Sequence, residues 1–129
     1  MTLSRELSLV CVGIALAMAQ APDFAHGSMA PQHGGRVLES NETLVELVAG
    51  PEGVSVYVTD DDGAPLAAGG YSAKLTIDAK GEKTEVPLAD AGGNRFDAPA
   101  VTIPVGAETV VALISRVDGS RVFVTFPAP

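Results

Sequence analysis

Val54-Ser55-Val56-Tyr57-Val58-Thr59 alternates an apolar side chain with a polar or amphipathic one at every step, and no other feature restricts the fold as much. A period of two places Val54, Val56 and Val58 on one face of a strand and Ser55, Tyr57 and Thr59 on the other; a helix would scatter the valines around its circumference. Shorter runs of the same kind recur between turn residues: Arg36–Glu39, Asn41–Ala49, Tyr71–Asp78, Lys83–Leu88, Arg95–Asp97, Thr109–Arg116 and Arg121–Phe126. Asp60-Asp61-Asp62-Gly63, Ala79–Glu82, Ala91-Gly92-Gly93-Asn94 and Asp118-Gly119 punctuate them with residues that tolerate positive φ or bond nearby backbone amides. Pro87 lacks an amide donor, which puts its strand at a sheet edge. Beyond the leader no stretch keeps a helical apolar period over three turns. Seven to eight short strands in about a hundred residues predict an all-β, immunoglobulin-like antiparallel β-sandwich over 36–127, with a small β-barrel as the alternative.

The amino-terminal segment decides where such a domain works. Arg5 precedes an apolar run from Leu7 to Ala19 that closes on Ala17-Met18-Ala19, the small-x-small pattern of a signal-peptidase site. The run is short for a membrane-spanning helix, which needs about 20 apolar residues. A signal peptide is therefore expected over 1–19, with Ala25 as a later cleavage point, and the mature chain is expected in the periplasm with no stable membrane span. Cleavage removes Cys11, the single cysteine of the chain, so no disulfide supports the domain. The formal net charge is −8 and the few basic residues are scattered, which excludes a stripe that follows a phosphate backbone and with it nucleic-acid binding. Trp is absent, so a stacking platform for sugars or bases is not expected.

Residues 20–35 read as a flexible lead-in of Pro, Gly, Ala, His and Ser with one Met. Both histidines of the chain, His26 and His33, lie here, together with Met29, the one methionine beyond the leader. Imidazole binds Cu(II), Zn(II) and Ni(II) through a ring nitrogen, and a thioether favours Cu(I). His26, Met29 and His33 are thus the candidate ligands for a copper or zinc ion, in competition with the plainer reading of a linker that happens to contain histidines. Cleavage after Ala25 would leave His26 as the amino terminus, able to chelate through its amine and ring. Glu39 or Glu42 could complete a ligand set, although nothing in the sequence brings them close. Asp60-Asp61-Asp62 fits the spacing of no calcium loop and belongs to a turn. Asn41-Glu42-Thr43 matches a glycosylation acceptor that matters only in a eukaryotic secretory pathway. No thiol nucleophile, no histidine within the strands, no Gly-x-Ser-x-Gly and no phosphate loop is present beyond the leader, so no catalysis is expected.

The order of His33-Gly34-Gly35, Thr43-Leu44-Val45-Glu46-Leu47-Val48, Val56-Tyr57-Val58-Thr59-Asp60, Gly63-Ala64-Pro65 and Ala91-Gly92-Gly93-Asn94-Arg95 resembles that of small bacterial periplasmic proteins associated with heavy-metal efflux systems. It is also similar to the His-Gly-Gly-led β-domain at the front of some periplasmic adaptor subunits of metal-exporting pumps. The resemblance implies a metal-handling accessory protein, for copper or a related divalent ion. The alternative expectation is a non-catalytic interaction module that docks on an efflux adaptor or another envelope protein through a sheet face or edge.

Overall fold

A computed structural model describes residues 29–129; the leader, both cleavage points, Cys11 and His26 lie outside the described residues. Eight antiparallel strands follow one another: β1 (Arg36–Ser40), β2 (Thr43–Gly50), β3 (Gly53–Asp60), β4 (Tyr71–Ala79), β5 (Glu82–Asp90), β6 (Arg95–Pro99), β7 (Glu108–Ser115) and β8 (Arg121–Phe126). Their order in the sheet is β1-β2-β3-β6-β5-β4-β7-β8. Strands β4, β5 and β6 are linked by short turns, and β7 returns to lie beside β4, which is a Greek key.

The sheet nearly closes on itself, between the expected sandwich and its barrel alternative. The long strand β5 makes the turn from one half to the other. It pairs with β4 from Glu82 to Leu88 and then with β6 only at Ala89 and Asp90. At the remaining seam Arg36 Nη1 donates to the Pro127 carbonyl at 2.7 Å, and its guanidinium lies 5.5 Å from the centre of the Phe126 ring.

Alternation sorts the side chains. Val54, Val56 and Val58 of β3, Ala73, Leu75 and Ile77 of β4, and Val124 and Phe126 of β8 point inward and are buried, as their period predicts. Phe96 and Phe126 are the largest fully buried side chains in a core otherwise made of Val, Leu, Ile and Ala. Partly buried Val101 and Ile103, on the connection from β6 to β7, pack against this core, and Val101 shares a groove with Glu82, Thr84 and Val86 of β5.

Two local features mark the region around β2. Asn41 does not begin β2: Asn41 and Glu42 both take positive φ, 50° and 62°, and form the tight turn that lets Ser40 pair with Thr43. The outer face of β2 is not solvated either. Leu44 and Glu46 are as buried as Val45 and Leu47 on the core side, because the segment just before β1 lies over them.

Candidate functional site

The cross-strand register builds the site. Val37 of β1 faces Glu46 of β2, Glu46 faces Tyr57 of β3, and Tyr57 faces Arg95 of β6, so these side chains form one row across the outer face of the sheet. The row carries a carboxylate, a phenol and a guanidinium side by side. Over it lies the end of the lead-in.

Glu46 fastens that segment. Its Oε1 accepts the Gln32 amide at 3.1 Å, and its Oε2 accepts the His33 amide at 2.8 Å and the Gly35 amide at 2.9 Å. The His33 ring joins them, with Nδ1 3.0 Å from Oε1. Burial, at 5% exposure, pushes the Glu46 carboxyl up, but the amides of Gly35, His33 and Gln32 and the His33 ring together outweigh it and hold the group below the usual carboxylate range. The described end of the lead-in, expected to be a flexible arm, is therefore a tied strap from Gln32 to Gly35.

The His-Gly-Gly sequence makes this path possible. Gly34 turns the chain at φ +78°, a conformation that favours glycine. At Gly35 a Cβ would come within 2.3 Å of the Leu47 carbonyl oxygen, so only glycine lets the strap press against β2.

His33 then lies flat on the row. Its ring stacks on Tyr57 with centroids 3.6 Å apart and planes 3° from parallel, and its side chain remains 42% exposed. Arg95 lies 5.8 Å from the centre of the same Tyr57 ring, within cation–π range. Arg95 Nε also donates to Asp97 Oδ1 at 2.8 Å, where Ser55 Oγ donates at 2.8 Å. That contact with Arg95, with help from Ser55, lowers the Asp97 pKa despite partial desolvation.

Beside the imidazole is a concavity of about 50 Å³ lined by Gln32, His33, Leu44, Tyr57, Thr59 and Asn94. The space admits a water or a bare ion beside the ring, since a water needs only about 10–15 Å³. A wider groove of about 340 Å³ runs past Val48, Pro51, Ser55, Arg95 and Asp97, but it holds no imidazole.

The structure treats the sequence candidates unequally. His33 is fixed in place, and His26 lies outside the described residues. Met29 is 45% exposed and is not among the groups lining the concavity. Glu39 and Glu42 are exposed and do not line it either. The carboxylates of Asp60, Asp61 and Asp62 lie within 4.8 Å of one another. Asp60 Oδ1 accepts the Asp62 amide at 2.9 Å and the Ala64 amide at 2.8 Å, as an acidic turn does.

Glu46 and Tyr57 are the partners that sequence reasoning missed. One signal is in the sequence: Leu44 and Val48 flank Glu46 at spacing two, and apolar neighbours on both sides imply a covered face. No helix among the described residues is long and apolar enough to cross a membrane. Comparison of the chain with family models, with curated proteins and with solved structures finds no match.

Proposed function

We propose that this protein is an exported, periplasmic metal-binding accessory protein that takes copper or a related divalent ion at the lead-in, with His33 as its principal ligand and Met29 and His26 as further donors. The observation that carries this reading is the fixed imidazole. A ring stacked on Tyr57 and still 42% exposed has lost most of its rotamer freedom before any ion arrives, which lowers the entropic cost of ligation. The net charge of −8 favours a cation over an anion, and the concavity beside the ring has room for one. The site holds the ion without covalent chemistry, in keeping with a role in metal efflux or resistance.

The test is titration of the purified protein with Cu(I), Cu(II) and Zn(II), followed by isothermal calorimetry. Wild type is expected to bind, and the His26→Ala/His33→Ala protein is expected not to. Equal binding by both proteins rules out the lead-in site.

One observation favours a second reading, an interaction module for an efflux adaptor or other envelope protein. Strand β5 pairs with β4 from Glu82 to Leu88 but meets β6 only at Ala89 and Asp90, so most of one edge has no strand partner. An extended segment of another chain can add to such an edge as far as Pro87, which has no amide to give. Failure of both proteins to bind any of the three ions would favour this reading.

A further inference from the structure

We infer that Glu46 is a positioning residue for His33: it holds the proton on Nδ1 and leaves the Nε2 lone pair as the atom that takes the ion. The inference rests on the metal-binding reading for its consequence, but its geometry stands apart from any ion.

An ionised carboxylate accepts at about four lone-pair sites and donates nothing. Glu46 has four donors around it, two on each oxygen: Gln32 N and His33 Nδ1 on Oε1, and His33 N and Gly35 N on Oε2. Three of these are backbone amides, which can only donate, and they stabilise the ionised form. A carboxylate so held has no proton to offer, so the 3.0 Å contact with Nδ1 must be an Nδ1–H donated to Oε1. In the neutral ring the other nitrogen then carries the lone pair.

Two consequences follow for the site. With all four acceptor sites of Glu46 filled, the carboxylate is not itself a ligand; it acts through the ring. Among the described residues Nε2 has no hydrogen-bond partner, and the ring that carries it is part of the wall of the concavity. A neutral imidazole nitrogen selects borderline ions such as Cu(II), Zn(II) and Ni(II) over Ca²⁺ and Mg²⁺, which prefer oxygen. Loss of a carboxylate that orients a ligating imidazole lowers metal affinity by about 10- to 100-fold.

The test is a two-bond proton–nitrogen correlation spectrum of the imidazoles in the metal-free protein, recorded at a pH where the rings are neutral. His33 is expected to show a protonated Nδ1 and a pyridine-type Nε2. A protonated Nε2 in wild type overturns the inference. Glu46→Ala is expected to release the ring to the Nε2–H form; an unchanged Nδ1–H pattern in a folded Glu46→Ala protein also overturns it. If that variant does not fold, the wild-type spectrum alone decides. Zn(II) is then added to wild type. A shift centred on Nε2 supports the assignment, and one centred on Nδ1 refutes it. If Zn(II), Cu(I) and Cu(II) all leave both nitrogens unmoved while the apo spectrum shows Nδ1–H, the metal-binding reading fails and the positioning of His33 by Glu46 stands.

Discussion

Glu46→Ala removes the acceptor that ties the strap to the sheet, and the size of its effect follows from competing terms. The side chain accepts three backbone amides and one ring N–H. Hydrogen bonds to a charged group contribute about 1.5–3 kcal/mol each, so these contacts sum to a gross loss of about 6–12 kcal/mol. The loss is bounded, because the strap can lift and return its amides to water. Freeing residues 32–35 recovers about 1–2 kcal/mol of backbone entropy per residue, or about 4–8 kcal/mol in all. At mid-range values, about 9 against about 6 kcal/mol, the surplus is about 3 kcal/mol, which converts to about a 150-fold change in strap opening. Amide hydrogen exchange measures this directly. In wild type the amides of Gln32, His33 and Gly35 are expected to be protected; in Glu46→Ala they should exchange faster by that factor, while amides in β3 and β4 keep their protection. Unchanged exchange at 32, 33 and 35 would refute the claim that Glu46 holds the strap. Equal acceleration throughout the sheet would refute the claim that the strap opens as a local unit.

Other perturbations test separate parts of the account. Thr109 is fully buried and its hydroxyl has no hydrogen-bond partner among the described residues, so Thr109→Val should raise stability by about 1 kcal/mol in urea unfolding, since an orphaned buried hydroxyl costs about 1–3 kcal/mol. Because the native Glu46 carboxyl titrates below its ordinary value of 4.5, its contribution is complete above that pH and disappears as the pH falls through the lower native value. The difference in melting temperature between wild type and Glu46→Gln should therefore be constant near neutrality and shrink below pH 4.5. Gly35→Ala should open the strap as Glu46→Ala does, with the same local exchange signature, because its Cβ would sit 2.3 Å from the Leu47 carbonyl oxygen. Phe96→Ala should cost about 3–5 kcal/mol of global stability, the range for emptying a buried aromatic site, and speed exchange in the sheet while the strap amides, which exchange through their own local opening, keep their wild-type rates.

Strand existence was legible because β-sheet physics is local in sequence. Each run with a period of two became a strand, and the two faces of β3 are those its alternation assigns. The turn at Asn41 and Glu42 was not, since Glu42 at φ 62° is a poor residue for that conformation and gives no composition signal. Whether the sheet closes depends on how far β5 stays with β4 before crossing to β6, a long-range choice that no window of residues encodes.

The site divides in the same way. His33 could be named from its chemistry, and the need for glycine at Gly34 and Gly35 is plain once the path of the strap is known. Glu46 lies 13 residues from His33, and Tyr57 joins them only through the register of β2 on β3. An independent arm would allow His33→Ala without loss of stability in the metal-free protein. The stack on Tyr57 and the Glu46 contact instead predict a loss of about 1–2 kcal/mol, since aromatic pairs alone contribute about 0.5–1.5 kcal/mol beyond their buried area.

Electron paramagnetic resonance of the Cu(II)-loaded protein tests the central claim most directly, because nitrogen hyperfine structure reports an imidazole on the ion. Wild type given one equivalent of Cu(II) should show coupling to imidazole nitrogen, and His33→Ala should lose it while its strands stay folded by circular dichroism. An identical nitrogen pattern in both proteins, or only the spectrum of free aqueous copper in wild type, would contradict the assignment of His33 as the metal ligand.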